Sequence, residues 1–594
     1  MNTASVQHYT TVVFAALCVY YHIHLIFTGL IPNLISRPIH LALALPWVFI
    51  IGARGNRLTR FSGYFLCVFG VCGCAYVALN RDQLVEQYGF IEGVLQYVIG
   101  VGLILVVLEM ARRAIKLALP IVAVLALLYG LFGQYLPGEF GHGGIPIGSL
   151  LGTLVIAEGG LWGPLTGVSV NVVAIFVIMG AFISAGEGGA GFMALATKLA
   201  GRFRAGAAKV SVLSSAFFGS ISGSASANVA STGAVTLPAM KRLGYPASFA
   251  AAVEAVASSG GQIMPPLMGA GAFVMMELLQ VDYTHIMAAA FLPAVLFFFA
   301  AWVGVDLFAR RHGLRTMTAD EIPTGHDVAR LAPFFLIPFS ILLLTLFLTG
   351  YTAQFAAGLA IFSSAALLII DDKLKISIPR MMTRLSQAFV AAAAQIAMIA
   401  SIIICAGLVI GVLNMTGLGV KITSIILGMA GGQLWVALLL TALACLILGM
   451  EVPTTAAYVI CVSVAGPALV ALGLQPLSAH LFIFWYALLS TITPPVCGTV
   501  FIAAGMAETG WVPVAGQAMR LGLGLYFVPL AFIANPDLIL LETKPVLACL
   551  AFVKVAVGLW LLSKCMIGGA SIPMKLLLFC GGVLTIFLFG IGRF

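Results

Sequence analysis

The chain has 594 residues, of which 62% are hydrophobic and only 8% are charged, and its formal net charge is +9. This composition excludes a soluble globular fold, because no soluble interior buries so much apolar surface. The excess of basic residues does not indicate nucleic-acid binding, because the Lys and Arg residues lie in short loops between apolar runs. In such loops, basic residues on the cytoplasmic side set the orientation of a membrane protein. A span needs about 20 apolar residues, and the chain offers roughly fifteen to seventeen such segments, some of them re-entrant. The sequence predicts an all-α polytopic membrane protein.

Residues 1–114 are predicted to form a unit of four spans. Basic residues follow its second and fourth spans and acidic residues follow its third: Arg57, Arg60, Arg112 and Arg113 against Asp82, Glu86 and Glu92. We therefore expect the N-terminus and the basic loops to lie in the cytoplasm. A much longer membrane domain is predicted over 115–540. Residues 541–594 add C-terminal transmembrane segments, to which the sequence assigns no distinct role.

The long domain contains two copies of one unit, at about 198–315 and about 380–520. Pro467 lies 229 positions after Pro238, and other helix breakers coincide in the same register: Gly244 with Gly473, Pro265–Pro266 with Pro494–Pro495, and Gly269 with Gly498. The match runs over about sixty positions without a gap. Backbone that leaves a helix inside a membrane must be satisfied by protein, water or ligand, so broken helices at this depth indicate a cavity or a transport site.

Each copy is predicted to contain a re-entrant hairpin followed by a broken helix. The first hairpin, residues 210–238, has basic residues at both ends, whereas the second, within residues 433–473, has almost none. The first is therefore expected to enter from the cytoplasm and the second from the outside. This makes the repeats inverted in topology, an arrangement that many secondary transporters use.

The hairpin tips are candidate binding sites for a cation such as sodium. The first tip combines small residues, hydroxyls and an amide at Ser222, Gly223, Ser224, Ser226 and Asn228, and the second has a helix breaker and paired hydroxyls at Pro453, Thr454 and Thr455. Exposed carbonyls and side-chain oxygens can replace water around a hard cation. The alternative is that such small residues only permit tight packing between helices.

The broken helices are expected to face the tips and to complete the ion and substrate site. The residues concerned are Gly260, Gly261, Gln262 and Pro265 in the first copy and Thr491, Thr493 and Pro494 in the second. A prolyl pair removes two amide donors and leaves carbonyls free for a cation, while half-helix N-termini favour carboxylates. Buried charges are costly in a membrane, so Glu254 and Glu451 are assigned possible charge roles.

Three strings carry a resemblance to a known family: SGSASANVASTGAVTLPAMKRLGY, AAAVEAVASSGGQIMPP and GMEVPTTAAY. They resemble the permeases of tripartite ATP-independent periplasmic (TRAP) transporters. A four-span, small-subunit-like unit joined to a large permease domain is similar to the fused form of their two membrane subunits. Glu451 departs from the family pattern, in which glycine is expected at this position, and this puts a second sodium site in doubt.

The resemblance implies sodium-coupled uptake of an organic acid across the inner membrane by an elevator-type movement. It also implies a separate periplasmic solute-binding protein that selects the substrate, with sodium as coupling ion and no other cofactor. Dicarboxylates, amino acids and keto acids fit equally well.

Other functions use similar features. An ion channel can also be built from broken helices and carbonyls, and a receptor-independent divalent-anion/sodium symporter has similar hairpins but lacks the four-span unit. An enzymatic role is not expected, because a serine nucleophile needs a base within reach and neither motif contains a histidine.

Overall fold

The computed structural model describes residues 3–29, 31–53, 56–115, 117–450, 452–569 and 571–588. Over these ranges the chain is helical, with one isolated bridge between Ile370 and Ile376 and no β-strand. Among the described residues, eleven helices are long and apolar enough to cross a membrane, or twelve if one bent pair counts as a span. The predicted all-α polytopic fold is confirmed. Fewer full spans occur than the apolar segments suggested, because the half-helices and most hairpin arms fall short of a span, although the arm Thr454–Ala471 is long enough.

Four of the candidate spans lie before residue 116, in the interval predicted for the four-span unit. The helices of this region are α1 (Thr3–Phe27), α2 (Asn33–Pro46), α3 (Arg57–Leu79), α4 (Arg81–Glu86) and α5 (Gly93–Ile115). The second span continues α2 through a π-helical turn, Trp47–Ile51. Asn56 begins α3, because its side-chain oxygen accepts a hydrogen bond from the backbone N–H of Thr59 at 3.0 Å.

Five helices then lead to the first repeat: α6 (Ala118–Phe132), α7 (Ile147–Leu151), α8 (Pro164–Val168), α9 (Ala174–Ala185) and α10 (Gly188–Ala200). Two π-helical turns, Gly152–Ile156 and Ser169–Val173, extend α7 and join α8 to α9. The span from α8 to α9 is largely buried inside the protein.

The first repeat contains α11 (Gly206–Ser222), α12 (Ala225–Arg242), α13 (Ala247–Gly260), α14 (Ala270–Leu279) and α15 (Tyr283–His312). The next five helices are α16 (Gly325–Leu331), α17 (Pro333–Leu348), α18 (Ala353–Leu367), α19 (Ile378–Thr416) and α20 (Leu418–Ala430), of which the last two lie in the interval predicted for the second copy. The second repeat and the C-terminal region contain α21 (Leu434–Gly449), α22 (Thr454–Ala471), α23 (Pro476–Leu489), α24 (Gly498–Ala507), α25 (Trp511–Leu521), α26 (Leu523–Ala534), α27 (Pro545–Ile567) and α28 (Ile572–Phe587).

The two repeats have the same order of helices and breaks. The bounds of α22 and α23 are those of α12 and α13 displaced by the register that relates Pro238 to Pro467. Gly244 and Gly473 both have positive φ, +88° and +91°, after the second hairpin arm. Each prolyl pair contains a cis peptide bond. The helix breakers of the sequence therefore occupy equivalent places in two copies of one structural unit.

The two units pack into each other. The second hairpin arm of each copy contacts the short helix that follows the break of the other copy. These contacts are α12 against α24 and α22 against α14. Around this body, the long helix α19 contacts α1, α2, α5, α6 and α9, and it also contacts α22 of the body itself. Helix α18 contacts α9. The described C-terminal helices α27 and α28 pack on each other and against α15 and α26.

A polar clasp joins the four-span unit to the large domain. Arg37 of α2 donates to the carboxylate of Glu158 at 3.2 Å and to the carbonyl of Trp162, and Asn33 donates to Glu158 at 2.7 Å. A second connection runs through two buried imidazoles, from His22 to His40 at 2.8 Å and from His40 to the hydroxyl of Ser169 at 3.0 Å. Glu158, a charged residue in an apolar run, is thus an interface residue.

Candidate functional site

The tip of the first hairpin is a two-residue break between α11 and α12. Gly223 ends α11 in the left-handed region, with φ +59°, and a Cβ at this position would lie 2.7 Å from the carbonyl oxygen of Met268. Ser224 then begins α12, because its hydroxyl accepts the N–H of Ala227 at 3.3 Å. The tip is therefore pressed against the backbone of the first broken helix.

The tip of the second hairpin lies between Gly449, the last residue of α21, and Thr454, the first residue of α22. Pro453 precedes α22 in an extended conformation, so the chain turns before the helix begins. Glu451, which the sequence assigned a possible charge role, lies outside the described residues.

In the first broken helix, α13 ends at Gly260 and a 3₁₀ turn, Gly261–Ile263, follows it. The second half, α14, then begins at Ala270. The N–H of Gly269 closes the break by donating to the carbonyl of Gln262 at 2.7 Å. In the second copy the N–H of Thr499 donates to the carbonyl of Thr491 at 3.3 Å. Both breaks are therefore held by a backbone bond across the prolyl pair.

The two breaks meet each other through hydroxyl groups. The hydroxyl of Ser259 lies 2.9 Å from that of Thr491 and 3.3 Å from that of Thr499. Ser259 immediately precedes the first break, and Thr491 lies within the second. This contact joins the centres of the two repeats.

All four predicted motifs border one central cavity of about 700 Å³. Its lining includes both hairpin tips, both breaks and the middle of α19. None of the described lining residues is Lys, Arg, Asp or Glu. Hydroxyls, amides and backbone groups must therefore provide its polarity.

Helix ends of both kinds lie in the lining of this cavity. The first residues of four helices line it, at Ala225, Ala270, Thr454 and Gly498, and so do the last residues of two hairpin arms, Ser222 and Gly449. Helix N-termini carry partial positive charge and free N–H groups, whereas C-termini carry free carbonyls. The cavity can therefore hold an anion at one set of ends and a cation at the other.

The predicted site residues divide into two groups. Those that line the cavity are Ser222, Gly223, Ser224, Ser226, Gln262, Pro453, Thr454, Thr455 and Thr491. Those that are not among its lining residues are Asn228, Gly260, Gly261, Pro265, Thr493 and Pro494. Proximity alone does not test ion or substrate binding, so these roles stay predictions.

Residues of the second group contact the backbone next to the breaks instead of the cavity. Asn228 is buried and donates to the carbonyls of Ser215 at 2.9 Å and Ser258 at 3.4 Å. A Cβ at Gly261 would lie 2.7 Å from the amide nitrogen of Asn228. The hydroxyl of Thr493 bonds to the carbonyl of Leu489 at 2.7 Å. These residues shape the breaks through packing and hydrogen bonds.

Gln262 differs from the other lining residues. The residue is 8% exposed, and within the described part of the chain its side-chain oxygen Oε1 has no hydrogen-bond partner. A buried acceptor without a partner costs about 1 to 3 kcal/mol. A cation or a hydrogen-bond donor of a ligand in the cavity would relieve this cost by pairing with Oε1 of Gln262.

Glu254 lies in a closed cage of hydroxyls rather than on the cavity wall. The residue is fully buried on α13. Its carboxylate accepts hydrogen bonds from five side chains on α11, α12 and α13: Ser211 at 2.8 Å, Ser215 at 3.4 Å, Thr236 at 2.5 Å, Ser258 at 3.2 Å and Thr232. It therefore ties both hairpin arms to the broken helix.

Sequence reasoning missed these partners and the contribution of α19. Three pairs have the four-residue spacing of one helix face, Ser211 with Ser215, Thr232 with Thr236, and Glu254 with Ser258. That spacing could have predicted a shared polar face.

The cavity wall on α19 consists of Gln395, Met398, Ile399 and Ile402. Nothing in the local sequence of this apolar helix distinguishes it from any other span.

Comparison with known proteins agrees with this architecture. The profile of the family described as "Tripartite ATP-independent periplasmic transporter, DctM component" matches residues 103–547. The chain is 26% identical over 366 residues to the C4-dicarboxylate TRAP transporter large permease protein DctM of Pseudomonas aeruginosa, which covers 61% of this chain and 82% of the relative.

Two further relatives belong to the same group. A putative TRAP transporter large permease protein of Haemophilus influenzae is 24% identical over 370 residues, covering 61% of this chain and 85% of the relative. The isethionate TRAP transporter permease protein DctMQ of Oleidesulfovibrio alaskensis is 24% identical over 342 residues, covering 57% of this chain and 52% of the relative. The chain belongs to the DctM family of tripartite ATP-independent periplasmic transporters, which are membrane permeases and not enzymes.

Proposed function

We propose that this permease imports a small organic acid across the inner membrane, driven by a sodium gradient, after a periplasmic solute-binding protein has delivered the substrate. The observation that carries the proposal is the central cavity, where both hairpin tips and both breaks converge. Its size fits a small molecule, since ligand pockets occupy about 300 to 1,000 Å³.

The helix ends support an acid and a cation as joint ligands. A carboxylate would be stabilised by the N–H groups that begin α12, α14, α22 and α24. A sodium ion would take carbonyl and hydroxyl oxygens near Ser222, Gly449 and Thr454. Because the described lining has no basic side chain, the cation itself would supply countercharge to the acid, which favours binding them together.

The interlocked repeats support a movement of elevator type. Hairpins and broken helices pack on each other as one body, whereas α19 packs on the four-span unit, α6 and α9 and meets that body at α22. The cavity lies between the two, because α19 contributes one wall of it. A rigid displacement of the inner body along α19 would carry the cavity from one side of the membrane to the other.

The relatives support a soluble partner. TRAP permeases are named as parts of tripartite systems, and the Pseudomonas relative is named for C4-dicarboxylate. We accordingly assign the chain a periplasmic solute-binding protein as partner and a carboxylate as substrate. We also assign the N-terminus to the cytoplasm, because basic residues follow the second and fourth spans.

Reconstituted uptake tests this function. The full chain in proteoliposomes is supplied with its soluble receptor and a radiolabelled C4-dicarboxylate, amino acid or keto acid chosen from the receptor's ligands. Accumulation is expected only with both an inward sodium gradient and the receptor. Uptake without the receptor would favour a receptor-independent carrier, and rapid dissipation of the sodium gradient without substrate would favour a channel.

A further inference from the structure

Glu254 has a neutral polar environment on every side. The helices packed against α13 carry the following titratable groups: Lys209 on α11, Lys241 and Arg242 on α12, Tyr283, His285, Asp306, Arg310, Arg311 and His312 on α15, and Arg520 on α25. Lys209 is paired with Asp306 at 2.8 Å, and Lys241, Arg242 and Arg520 are exposed. In the described structure, the hydrogen bonds of Glu254 are all to hydroxyls and none is to a cation.

A buried carboxylate without a cationic partner is costly in the charged form, so its environment must repay ionisation by hydrogen bonds or permit protonation. The cage can do both. With Glu254 ionised, Ser211 and Thr236 donate to Oε2, while Thr232, Ser215 and Ser258 are within hydrogen-bond reach of Oε1.

With Glu254 protonated, the same groups find other acceptors. A proton on Oε2 is donated to the hydroxyl oxygen of Thr236, whose own O–H turns to the carbonyl of Thr232 at 3.0 Å. The O–H of Thr232 turns to the carbonyl of Asn228 at 2.8 Å. Ser215 and Ser258 lie 3.4 Å apart and can bond to each other. The rotation of a few hydroxyls therefore accommodates either charge state.

We propose that Glu254 is a proton-binding site of the transport cycle, taking up one proton from water as a carboxylate and releasing it later from the carboxylic acid. This inference rests on the proposed transport function and adds a proton to the ions that the permease moves. A proton suits the cage better than a metal ion, because the hydroxyl oxygens already lie at hydrogen-bond distance from the carboxylate and leave no intervening position.

The cage is connected to the cavity. Asn228, which accepts from Thr232, donates to the carbonyls of Ser215 and Ser258 and packs on Gly261. The next residue, Gln262, lines the cavity. A change of charge at Glu254 therefore alters the hydrogen bonds directly behind the first break.

Infrared difference spectroscopy tests the site without substrate, sodium or receptor. The full chain in lipid nanodiscs is titrated between about pH 5 and about pH 9, and the carboxylic-acid C=O band is followed. We expect a pH-dependent band that is absent in Glu254→Gln and retained in Glu277→Gln, a half-buried carboxylate of α14. Thr236→Val should shift its frequency, whereas Thr236→Ser, which keeps the hydroxyl, should not.

The infrared titration of wild type alone can refute the proposal, so the test remains decisive even if Glu254→Gln does not fold. Absence of a titrating buried band, or a band that none of the Glu254 and Thr236 substitutions alters, would show that Glu254 keeps one charge state. In the uptake assay, an inward proton gradient should increase wild-type accumulation, and this increase should be lost in Glu254→Gln. An increase equal to that of wild type would refute coupling, whereas no uptake by wild type under any gradient would refute the transport function and leave the infrared result standing.

Discussion

Gly219 and Gly261 bring the first hairpin and the first broken helix into backbone contact. A Cβ built on Gly219 would enter the backbone of Gly261, and one built on Gly261 would lie 2.7 Å from the Cα of Gly219. Neither glycine has a positive φ, so close approach and not backbone conformation requires them. The hairpin and the helix break are thereby held at a fixed distance next to the cavity.

Gly219→Ala is expected to destabilise the protein by about 1 to 3 kcal/mol, the usual cost of overpacking a close contact. The measurement is the free energy of unfolding in nanodiscs. Gly516→Ala serves as the control, because that glycine lies in α25 with open space around it; this change should be neutral or slightly stabilising. Equal effects of the two substitutions would contradict the tight contact.

Thr454→Val is expected to weaken sodium binding, because it removes a hydroxyl from the cavity wall at the start of α22. Loss of one ligand costs about 1 to 3 kcal/mol, or roughly 5- to 150-fold in the sodium concentration for half-maximal uptake. Ser224→Ala at the first tip and the double change Pro494→Ala with Pro495→Ala should act in the same direction. Thr454→Ser keeps the hydroxyl and is the matched control. Unchanged sodium dependence in all variants, with normal expression, would make the motifs packing devices.

If the two repeats are inverted in topology, equivalent residues should be labelled from opposite sides of the membrane. Arg242 and Ala471 end α12 and α22, occupy the same repeat position and are both exposed. Each is replaced by cysteine in a chain without its eleven native cysteines. A membrane-impermeant maleimide should label Arg242→Cys only from the cytoplasm and Ala471→Cys only from the periplasm. Labelling of both from one side would end the inverted-repeat interpretation.

Gln262→Met is expected to separate stability from ligand binding. The substitution removes the buried carbonyl oxygen that has no partner, so thermal stability without sodium should be unchanged or higher. The increase in melting temperature on adding sodium should be smaller than in wild type, because a ligand group is gone. Gln433→Met, at an exposed position before α21, controls for composition. Lower stability without sodium and an unchanged sodium response would show that Gln262 has a structural partner only.

The sequence predicted the parts of the fold that local breakers define. The breaks near Gly223, Gly261 and Thr491 lie where Gly and Pro residues interrupt the apolar runs, because these residues act on their own backbone. The ligand roles of the tips remain predictions. The wall on α19 was not predicted, because Gln395 reaches the cavity only through tertiary packing. The clasp between Arg37 and Glu158 joins residues far apart in sequence and has no local signal.

The helix α19 has 39 residues and is therefore about 58 Å long, whereas the hydrocarbon layer is about 30 Å thick. A straight rod of this length cannot stand upright in the layer unless one end protrudes. Its first turn contains Arg380, which is ion-paired with Asp371 at 2.7 Å, so this end is polar and suits a membrane boundary. An apolar helix of the remaining length stays within the layer only when it is inclined. Most of its apolar stretch is buried inside the protein, so the helices packed on α19, and not the lipid, would set this inclination and, with it, the position of the cavity wall near Gln395.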